Sequence, residues 1–271
     1  MSSRPVLFDR PLLRRRRDRA VRGVAPAREP DFLLREAAER LLDRLSDIRR
    51  AFPLALDLGA HTGQLARLRA GRGGIDTLVS VEPSAAMAAL APAPAVVADE
   101  DSLPFADAVA DAVLSCMSLH WIDDLPGLLA EAFRVLKPGG LFLAMLPGEE
   151  TLHELRDSLA RAELAVDGGV SPRVIPMLTV QDAGSLLQRA GFAEPVVDRE
   201  RIAIDYADPL RLLADLRAMG ETNALAERRK APLSRAVLLA ALAAYRENHP
   251  AADGRVAATV DLLTLTAWKP E

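Results

Sequence analysis

Apolar and polar residues follow two different periods along this chain. Between residues 31 and 50, apolar side chains recur every three or four positions among arginines and glutamates, which is typical of an amphipathic helix. Pro53 follows this helix. Beyond it, short apolar runs are separated by helical stretches, and they cover residues 54–58, 77–81, 95–98, 112–117 and 141–146. Short strands that alternate with helices predict a parallel sheet with helices on both faces.

The later part of the chain predicts two more strands. The pattern favours helices over residues 62–70, 85–90, 126–136 and 179–190, and Gly139-Gly140 and Gly191 act as stop signals behind the last two. Residues 195–206 and the alternating, Thr-rich residues 259–268 predict two strands that pair with each other. Helices over 209–219 and 234–247 lie between them in the sequence. We interpret this helical segment as an insertion that covers the carboxyl edge of the sheet.

The predicted fold class is α/β, with a Rossmann-like, seven-stranded and mostly parallel sheet. A chain of 271 residues, half of them apolar, can build one domain with a sizeable core. We divide the chain into a basic N-terminal arm (residues 1–30) and one domain (residues 31–271). Within the domain, we expect residues 50–147 to form a cofactor half and residues 148–271 a substrate-side half.

Charge and cysteine content narrow the function classes. The net charge is −4, which gives no reason to expect a nucleic-acid partner. The one cysteine, Cys116, cannot form an internal disulfide, and it is predicted to be a core thiol in a buried strand. No apolar run has the ~20 residues that cross a bilayer, and no apolar signal segment begins the chain. We therefore expect a soluble, cytoplasmic protein that is a monomer or a weak dimer.

The most basic segment is the arginine run at residues 14–17, followed by Arg19. Three interpretations are open: a solvated helix face whose arginines surround Leu12, Leu13 and Val21, a docking site for an anionic partner such as a membrane surface, and an organelle transit peptide. Asp9 and Asp18 speak against the transit peptide. We favour the solvated face, and we expect the arm to precede the fold proper.

The strongest chemical signal is a strand that runs into a glycine turn and then a helix, over residues 54–63. Gly59 and Gly63 allow a ligand to approach the backbone closely, and the helix N-terminus offers N–H groups to a carboxylate. Glu82 ends the second strand, where an acid can accept both ribose hydroxyls of an adenosine. Asp99 ends the third strand, where a carboxylate can accept a hydrogen bond from an adenine amino group.

Each of these residues also has a plainer interpretation as a strand end or a turn residue. Three acids at successive strand ends of one parallel sheet favour a shared ligand crevice. His61 stands where a dinucleotide motif has its middle glycine, and there is no Gly-Lys-Ser/Thr phosphate motif, so an adenosine ligand without phosphates fits better. The predicted cofactor-binding residues are Asp57, Gly59, Ala60, His61, Gly63, Glu82, Pro83, Asp99, Glu100 and Ser118.

Residues 57–63, Glu82, residues 99–105 and residues 134–140 together resemble the class I S-adenosylmethionine-dependent methyltransferases. The resemblance implies S-adenosylmethionine as the cofactor, with the glycine turn on its methionine end, Glu82 on the ribose and Asp99 on the adenine. His61 departs from the family's glycine, which puts the hold on the methionine end in question.

Residues 8–10, 52–59, 118–121, 151–156, 171–172 and 219–223 resemble the mitochondrial complex I assembly factors of the arginine-hydroxylase type. The likeness to the malonyl-carrier O-methyltransferases of biotin synthesis is weaker. The resemblance implies a protein substrate in complex I, or else a carrier-bound or small-molecule acceptor. The short segment before the glycine motif favours a bacterial relative. Three hypotheses follow: a methyltransferase, an arginine hydroxylase, and a non-catalytic assembly factor.

The catalytic candidates are His120, Trp121, Glu221 and Asn223. His120 follows the fourth strand and is either a base or a turn cap, whereas Trp121 either lines the substrate pocket or only packs. Glu221 and Asn223 lie in a polar loop that either closes over a substrate or simply ends a helix. Hydroxylation usually takes place at iron bound by two histidines and a carboxylate. No metal site is predicted, because no such spacing is found among His61, His120, His153 and His249.

Overall fold

The computed structural model describes residues 6–22 and 32–271. Seven strands form one sheet in the order β3-β2-β1-β4-β5-β7-β6. They are β1 (Phe52–Leu58), β2 (Ile75–Val81), β3 (Ala95–Val96), β4 (Ala110–Cys116), β5 (Leu136–Pro147), β6 (Ala193–Tyr206) and β7 (Val256–Trp268). Strands β1 to β5 pair in parallel, and β7 runs antiparallel to both of its neighbours. The predicted seven-stranded, mostly parallel α/β fold is confirmed.

Nine α-helices connect or flank these strands in the described part of the chain. They are α1 (Arg10–Arg22), α2 (Phe32–Ser46), α3 (Gln64–Leu68), α4 (Ala85–Ala88), α5 (Leu125–Val135), α6 (His153–Asp167), α7 (Val180–Arg189), α8 (Pro209–Met219) and α9 (Arg235–Asn248). None of them is long and apolar enough to cross a membrane. The predicted helices match these elements in position. The boundary that we drew at residue 30 falls in residues 23–31, outside the described residues.

Alternation along the strands creates two cores, one on each face of the sheet. Phe142 and Leu146 of β5 lie in the core that α5 and α7 cover, and Leu141 and Leu143 lie in the core that α2 covers. Successive side chains of a strand point to opposite faces, so a strand buried on both faces is apolar throughout. Cys116 is buried in the second core, as predicted, and burial raises the pKa of its thiol.

Two strand boundaries and one helix differ from the prediction. Strand β3 ends at Val96, so Asp99 lies beyond the strand and not at its end. Strand β5 already begins at Leu136, and the glycines that we interpreted as a helix stop lie inside it. Gly139 has a φ of +67°, and the β4 register shifts between Ala110 and Ala112, which together accommodate this irregular start. Helix α6 was not predicted.

The insertion between β6 and β7 reaches the carboxyl edge of the sheet, as predicted. Helix α8 ends at Met219, and the loop behind it meets residues that follow β4: the Glu221 carboxylate lies 3.0 Å from Nε2 of His120. Helix α9 packs with α6 around Tyr245, which is 1% exposed. This arrangement covers the crevice end of the sheet with helices from residues 148–271.

Helix α2 offers a test of the packing. Leu42 lies on its apolar face and is fully buried. We expect Leu42→Ala to lower the free energy of unfolding by roughly 2–5 kcal/mol, because it removes buried methyl groups and leaves a cavity. Chemical denaturation measures this change. Leu164→Ala is the matched control, since Leu164 is 62% exposed, and an equal loss in both variants would contradict the packing described here.

Candidate functional site

The glycine turn after β1 is held close to the neighbouring strands. The N–H groups of Gly59 and Ala60 donate to the Val81 carbonyl at 2.8 and 3.1 Å, which ties the turn to the end of β2. Gly59 has a φ of +66°, and a Cβ atom there would overlap the side chain of Ser118. Only glycine fits this turn, because other residues avoid this backbone region and would collide with Ser118.

His61 occupies the turn position at which the methyltransferase motif that this chain resembles has a glycine. It has a φ of +51°, in the left-handed region that histidine enters more readily than most residues. Its ring is buried, and Nε2 lies 3.1 Å from the Met117 carbonyl. Burial, with a contribution from the charge of Arg17, lowers the pKa of His61 to about 4. The ring is therefore neutral near pH 7, and it fills space that a glycine would leave open.

Two buried carboxyl groups lie at the ends of β1 and β2. Glu82 is fully buried, and it accepts hydrogen bonds from the N–H groups of His61 and Ser84, both at 2.9 Å. Asp57 is 1% exposed, and among the described residues its Oδ1 atom has no hydrogen-bond partner. Burial and the nearby Glu82 raise the pKa of Asp57 to about 8. An unpaired buried oxygen at this point is unusual, because buried polar atoms nearly always find a partner.

Asp99 and Glu100, the two predicted site acids that follow β3, differ in burial. Asp99 is half-exposed and pairs with Arg10 and Arg14. Glu100 is buried, and it accepts a hydrogen bond from the Ser118 hydroxyl at 3.2 Å. The structure therefore places Glu100 deeper in the crevice than Asp99, since the chain leaves the sheet at Val96. Pro83 is half-buried next to Glu82.

Helix α1 lies over these acids, which overturns our interpretation of its arginine face as solvated. Arg17 is 1% exposed, and its guanidinium lies 3.4 Å from Glu82 and 4.0 Å from Glu100. Arg10 donates to Glu100 at 2.7 Å. Arg15 and Arg19 lie on the exposed face of the helix. The arm does not simply precede the fold: one of its faces carries charges that match the acids of the crevice.

A large apolar cavity opens beside the crevice, under the insertion. It has a volume of about 640 Å³, within the range of small-molecule sites. Most of its walls are aliphatic, from α6, α8 and the strands β6 and β7, and Met117 and Glu221 mark the end nearest the crevice. A second cavity, at the glycine turn, measures only about 10 Å³.

His120, Trp121 and Glu221 form one hydrogen-bonded group in the wall of the large cavity. The Glu221 Oε2 atom accepts from Trp121 Nε1 at 2.6 Å and lies 3.0 Å from Nε2 of His120. Its Oε1 atom is buried, with no partner in the part of the chain that the structure describes. Burial opposes the charge of Glu221, but the hydrogen bond and charge of His120, together with the charges of Arg17 and His61, outweigh burial and lower the pKa of Glu221 to about 2. A carboxylate with one unpaired oxygen therefore lines the cavity.

The Asn223 side chain stabilises the loop through hydrogen bonds to the backbone. Its side chain donates to the Pro172 carbonyl at 2.8 Å and accepts from the Leu225 N–H at 3.0 Å, as a turn cap does. Trp121 both packs and binds, because its ring meets Phe8 edge-on at 5.3 Å while its N–H holds Glu221. No three His, Cys, Asp or Glu side chains in residues 6–22 and 32–271 are grouped so as to hold a metal ion.

Sequence reasoning missed the part that the arm plays in this site. Arg10, Arg14 and Arg17 are spaced by four and three residues, which places them on one face of a helix. That spacing could have predicted a charged helix face that binds an acidic partner. What it could not reveal is that the partner is the acid set of the same chain.

Comparison with known proteins shows that this chain is similar to methyltransferase-type proteins. The family described as "Methyltransferase domain" matches residues 56–144. The chain is 40% identical to "Arginine-hydroxylase NDUFAF5, mitochondrial" of Danio rerio, over 97% of this chain and 83% of that protein. Against the protein of the same name from Homo sapiens the identity is 41%, over 97% and 77%.

A second group of relatives carries another name. The "Malonyl-[acyl-carrier protein] O-methyltransferase" of Halorhodospira halophila is 37% identical, over 89% of this chain and 82% of that protein. Among solved structures, the YcgJ protein of Bacillus subtilis superposes with a TM-score of 0.61 at 14% identity, over 87% of this chain and 99% of that one. A methyltransferase-type protein of Bacillus halodurans gives 0.57 at 15% identity, over 87% and 100%. These two structures share the fold.

Proposed function

This chain belongs to the methyltransferase-type family that includes the NDUFAF5 arginine-hydroxylases and the malonyl-[acyl-carrier protein] O-methyltransferases, and from that premise we propose that it uses S-adenosylmethionine to modify a cationic side chain of a protein. The observation that carries the proposal is the buried carboxylate of Glu221, which lies in the cavity wall beside the crevice. The second candidate, a malonyl-carrier methyltransferase, rests on the relatives alone.

The residues of the crevice fit an adenosine-containing cofactor. The backbone of the Gly59 turn lies directly against Ser118, and the buried Oδ1 of Asp57 has no partner among the residues described. In this assignment Gly59 and Gly63 face the methionine end, Glu82 holds the ribose, and Asp99 with Glu100 holds the adenine. When bound, S-adenosylmethionine supplies an electrophilic methyl group on a sulfonium.

Glu221 favours a cationic acceptor over a malonyl group. Two like charges about 4 Å apart near a protein surface repel by about 4 kcal/mol, and opposite charges attract by as much. A guanidinium or ammonium group would complete the bonding of Oε1, whereas the carboxylate of a malonyl group would face a second carboxylate. The largely aliphatic walls of the cavity lower the local polarity around this contact, which strengthens it.

The same hydrogen-bonded group can orient the acceptor. Trp121 and His120 both bind Oε2 of Glu221, so the carboxylate has one fixed orientation and Oε1 faces the acceptor. The Nδ1 atom of His120 is buried without a partner in the described residues, so the ring can bind a second polar group. Transfer to an aligned nitrogen depends mainly on position, which this rigid wall supplies.

The partner and the location are proposals of the same kind. The likeness of residues 8–10, 151–156 and 219–223 to the complex I assembly factors supports a complex I subunit as the protein substrate. A single buried cysteine supports a reducing, cytoplasmic location. A pull-down with the full chain as bait, analysed by mass spectrometry, tests the partner.

We expect Glu221→Gln to lower the turnover of an arginine-containing acceptor by about tenfold or more, because it removes a charge-assisted bond worth roughly 1.5–3 kcal/mol. Mass spectrometry of the acceptor measures turnover, and the added mass distinguishes a methyl group from an oxygen atom. Affinity for S-adenosylmethionine should be unchanged. Glu227→Gln, an exposed acid in the same loop, is the control. Faster modification of a malonyl carrier by Glu221→Gln, with the arginine acceptor untouched by wild type, would overturn the cationic assignment.

A further inference from the structure

Arginines on one face of α1 form ion pairs with the same acidic side chains to which we assign the adenosine part of the cofactor. Arg17 contacts Glu82 and Glu100, and Arg10 contacts Glu100 and Asp99. Arg14 adds a second ion pair to Asp99. Every acid that we assign to the ribose and the adenine is therefore already bound by an arginine of the arm.

At the glycine turn, the described residues enclose too little space for a cofactor. The cavity there has a volume of about 10 Å³, enough for about one water molecule. Ligand pockets for cofactor-sized molecules measure about 300–1,000 Å³. Arg17 is 1% exposed between Glu82 and Ser118, where the ribose would lie. The structure is that of a closed crevice.

The contacts that hold Arg17 in the crevice are weak for a buried charge. Its distances to Glu82, Ser118 and Glu100 are 3.4, 3.5 and 4.0 Å, and its Nε atom has no partner in the described chain. A buried ion pair with imperfect bonds contributes little net stability, because desolvation offsets the attraction. A ligand that makes well-aligned bonds to Glu82 can therefore displace this arginine.

The arm is also connected to the acceptor side. Arg16 donates to the Thr222 carbonyl at 2.8 Å and to the Asn223 carbonyl, and these residues directly follow Glu221. The Asp9 N–H donates to the Ala224 carbonyl at 2.8 Å. A movement of α1 would therefore change hydrogen bonds to the loop that carries Glu221.

We propose that α1 and the adenosine of the cofactor compete for Glu82, Glu100 and Asp99, so that the arm acts as an internal gate that must leave the crevice before the cofactor enters. This inference rests on the proposed function, because it assigns these acids to S-adenosylmethionine. Cofactor binding and undocking of α1 then become one linked equilibrium.

The test compares two double variants of the full chain that each remove two positive charges from α1. Arg10→Gln/Arg17→Gln changes the inner face, and Arg15→Gln/Arg19→Gln changes the exposed face. Calorimetric titration measures their affinity for S-adenosylmethionine. The inner pair should bind about tenfold more tightly than wild type, because an affinity reduced by a closed state recovers when that state is removed. The outer pair should bind as wild type does.

A second measurement needs no variant. Limited trypsin digestion of the wild-type chain should cleave within α1 faster when S-adenosylmethionine is present, because the gate opens. Weaker binding by the inner pair, or protection of α1 by the cofactor, would instead make the arm part of the cofactor site. Equal binding by all three proteins would overturn the gate alone. No binding to any folded protein would overturn the proposed function together with it.

Discussion

Gly59→Ala should lower the free energy of unfolding by roughly 2–5 kcal/mol, the sum of a left-handed backbone penalty and of overpacking. The φ of +66° disfavours any residue with a Cβ atom, and that atom would overlap both side-chain atoms of Ser118. Ser118 is fully buried and bonds Glu100, so it has little freedom to move. Because the turn borders the crevice, the same substitution should also remove cofactor binding. Chemical denaturation and calorimetry measure the two effects.

Two further variants separate the causes of this loss. Gly168 has a φ of +71°, but a Cβ atom there meets nothing within 4 Å, so Gly168→Ala should cost only the backbone penalty of roughly 1–2 kcal/mol. Gly59→Ala combined with Ser118→Gly removes the collision and should recover part of the stability. If Gly59→Ala and Gly168→Ala cost the same, the close approach of the turn to Ser118 is wrong.

Glu82→Ala should weaken S-adenosylmethionine binding by about 100-fold or more, because two hydrogen bonds from ribose hydroxyls to a carboxylate contribute roughly 1.5–3 kcal/mol each. Glu82 is fully buried at the end of β2, and its two oxygens already orient the turn through the N–H groups of His61 and Ser84. Calorimetric titration gives the affinity, and circular dichroism shows whether the chain is folded.

Glu154→Gln is the control for changing a buried acid elsewhere. Glu154 is 3% exposed and accepts from the Thr259 hydroxyl at 2.6 Å, in the core around α6 and α9. It should keep wild-type affinity. Glu82→Ala and Arg10→Gln/Arg17→Gln both break the ion pair between Arg17 and Glu82, yet they should change affinity in opposite directions. A folded Glu82→Ala variant that binds as wild type does would remove Glu82 from the site.

The sheet could be predicted because its signal is local. Strands buried on both faces are short apolar runs, and the helices between them carry their own periodicity and stop signals. Helix α6 escaped prediction, although Leu155, Leu159 and Ala162 lie on one buried face. Its polar content is high, and buried Glu154 and Glu163 interrupt the apolar stripe. Their partners Thr259 and Arg173 come from other parts of the chain.

Part of the candidate site could likewise be predicted from the sequence, and part could not. The glycine turn and Glu82 follow strands, so their place at the edge of the sheet could be read from the pattern. The contact between His120 and Glu221 joins residues about a hundred positions apart, and no periodicity announces it. The docking of Arg17 is a tertiary pairing of charges, and a basic run by itself is more often a solvated surface. Only the folded chain shows which acids it meets.

The most direct test of this account is a crystal structure of the full chain with S-adenosylhomocysteine. We expect ribose hydroxyls bonded to Glu82, adenine beside Asp99 and Glu100, and the Arg17 guanidinium moved away from Glu82. Well-diffracting crystals with the ligand bound elsewhere, or with no ligand in the crevice at saturating concentration, would contradict the claim that this crevice is the cofactor site.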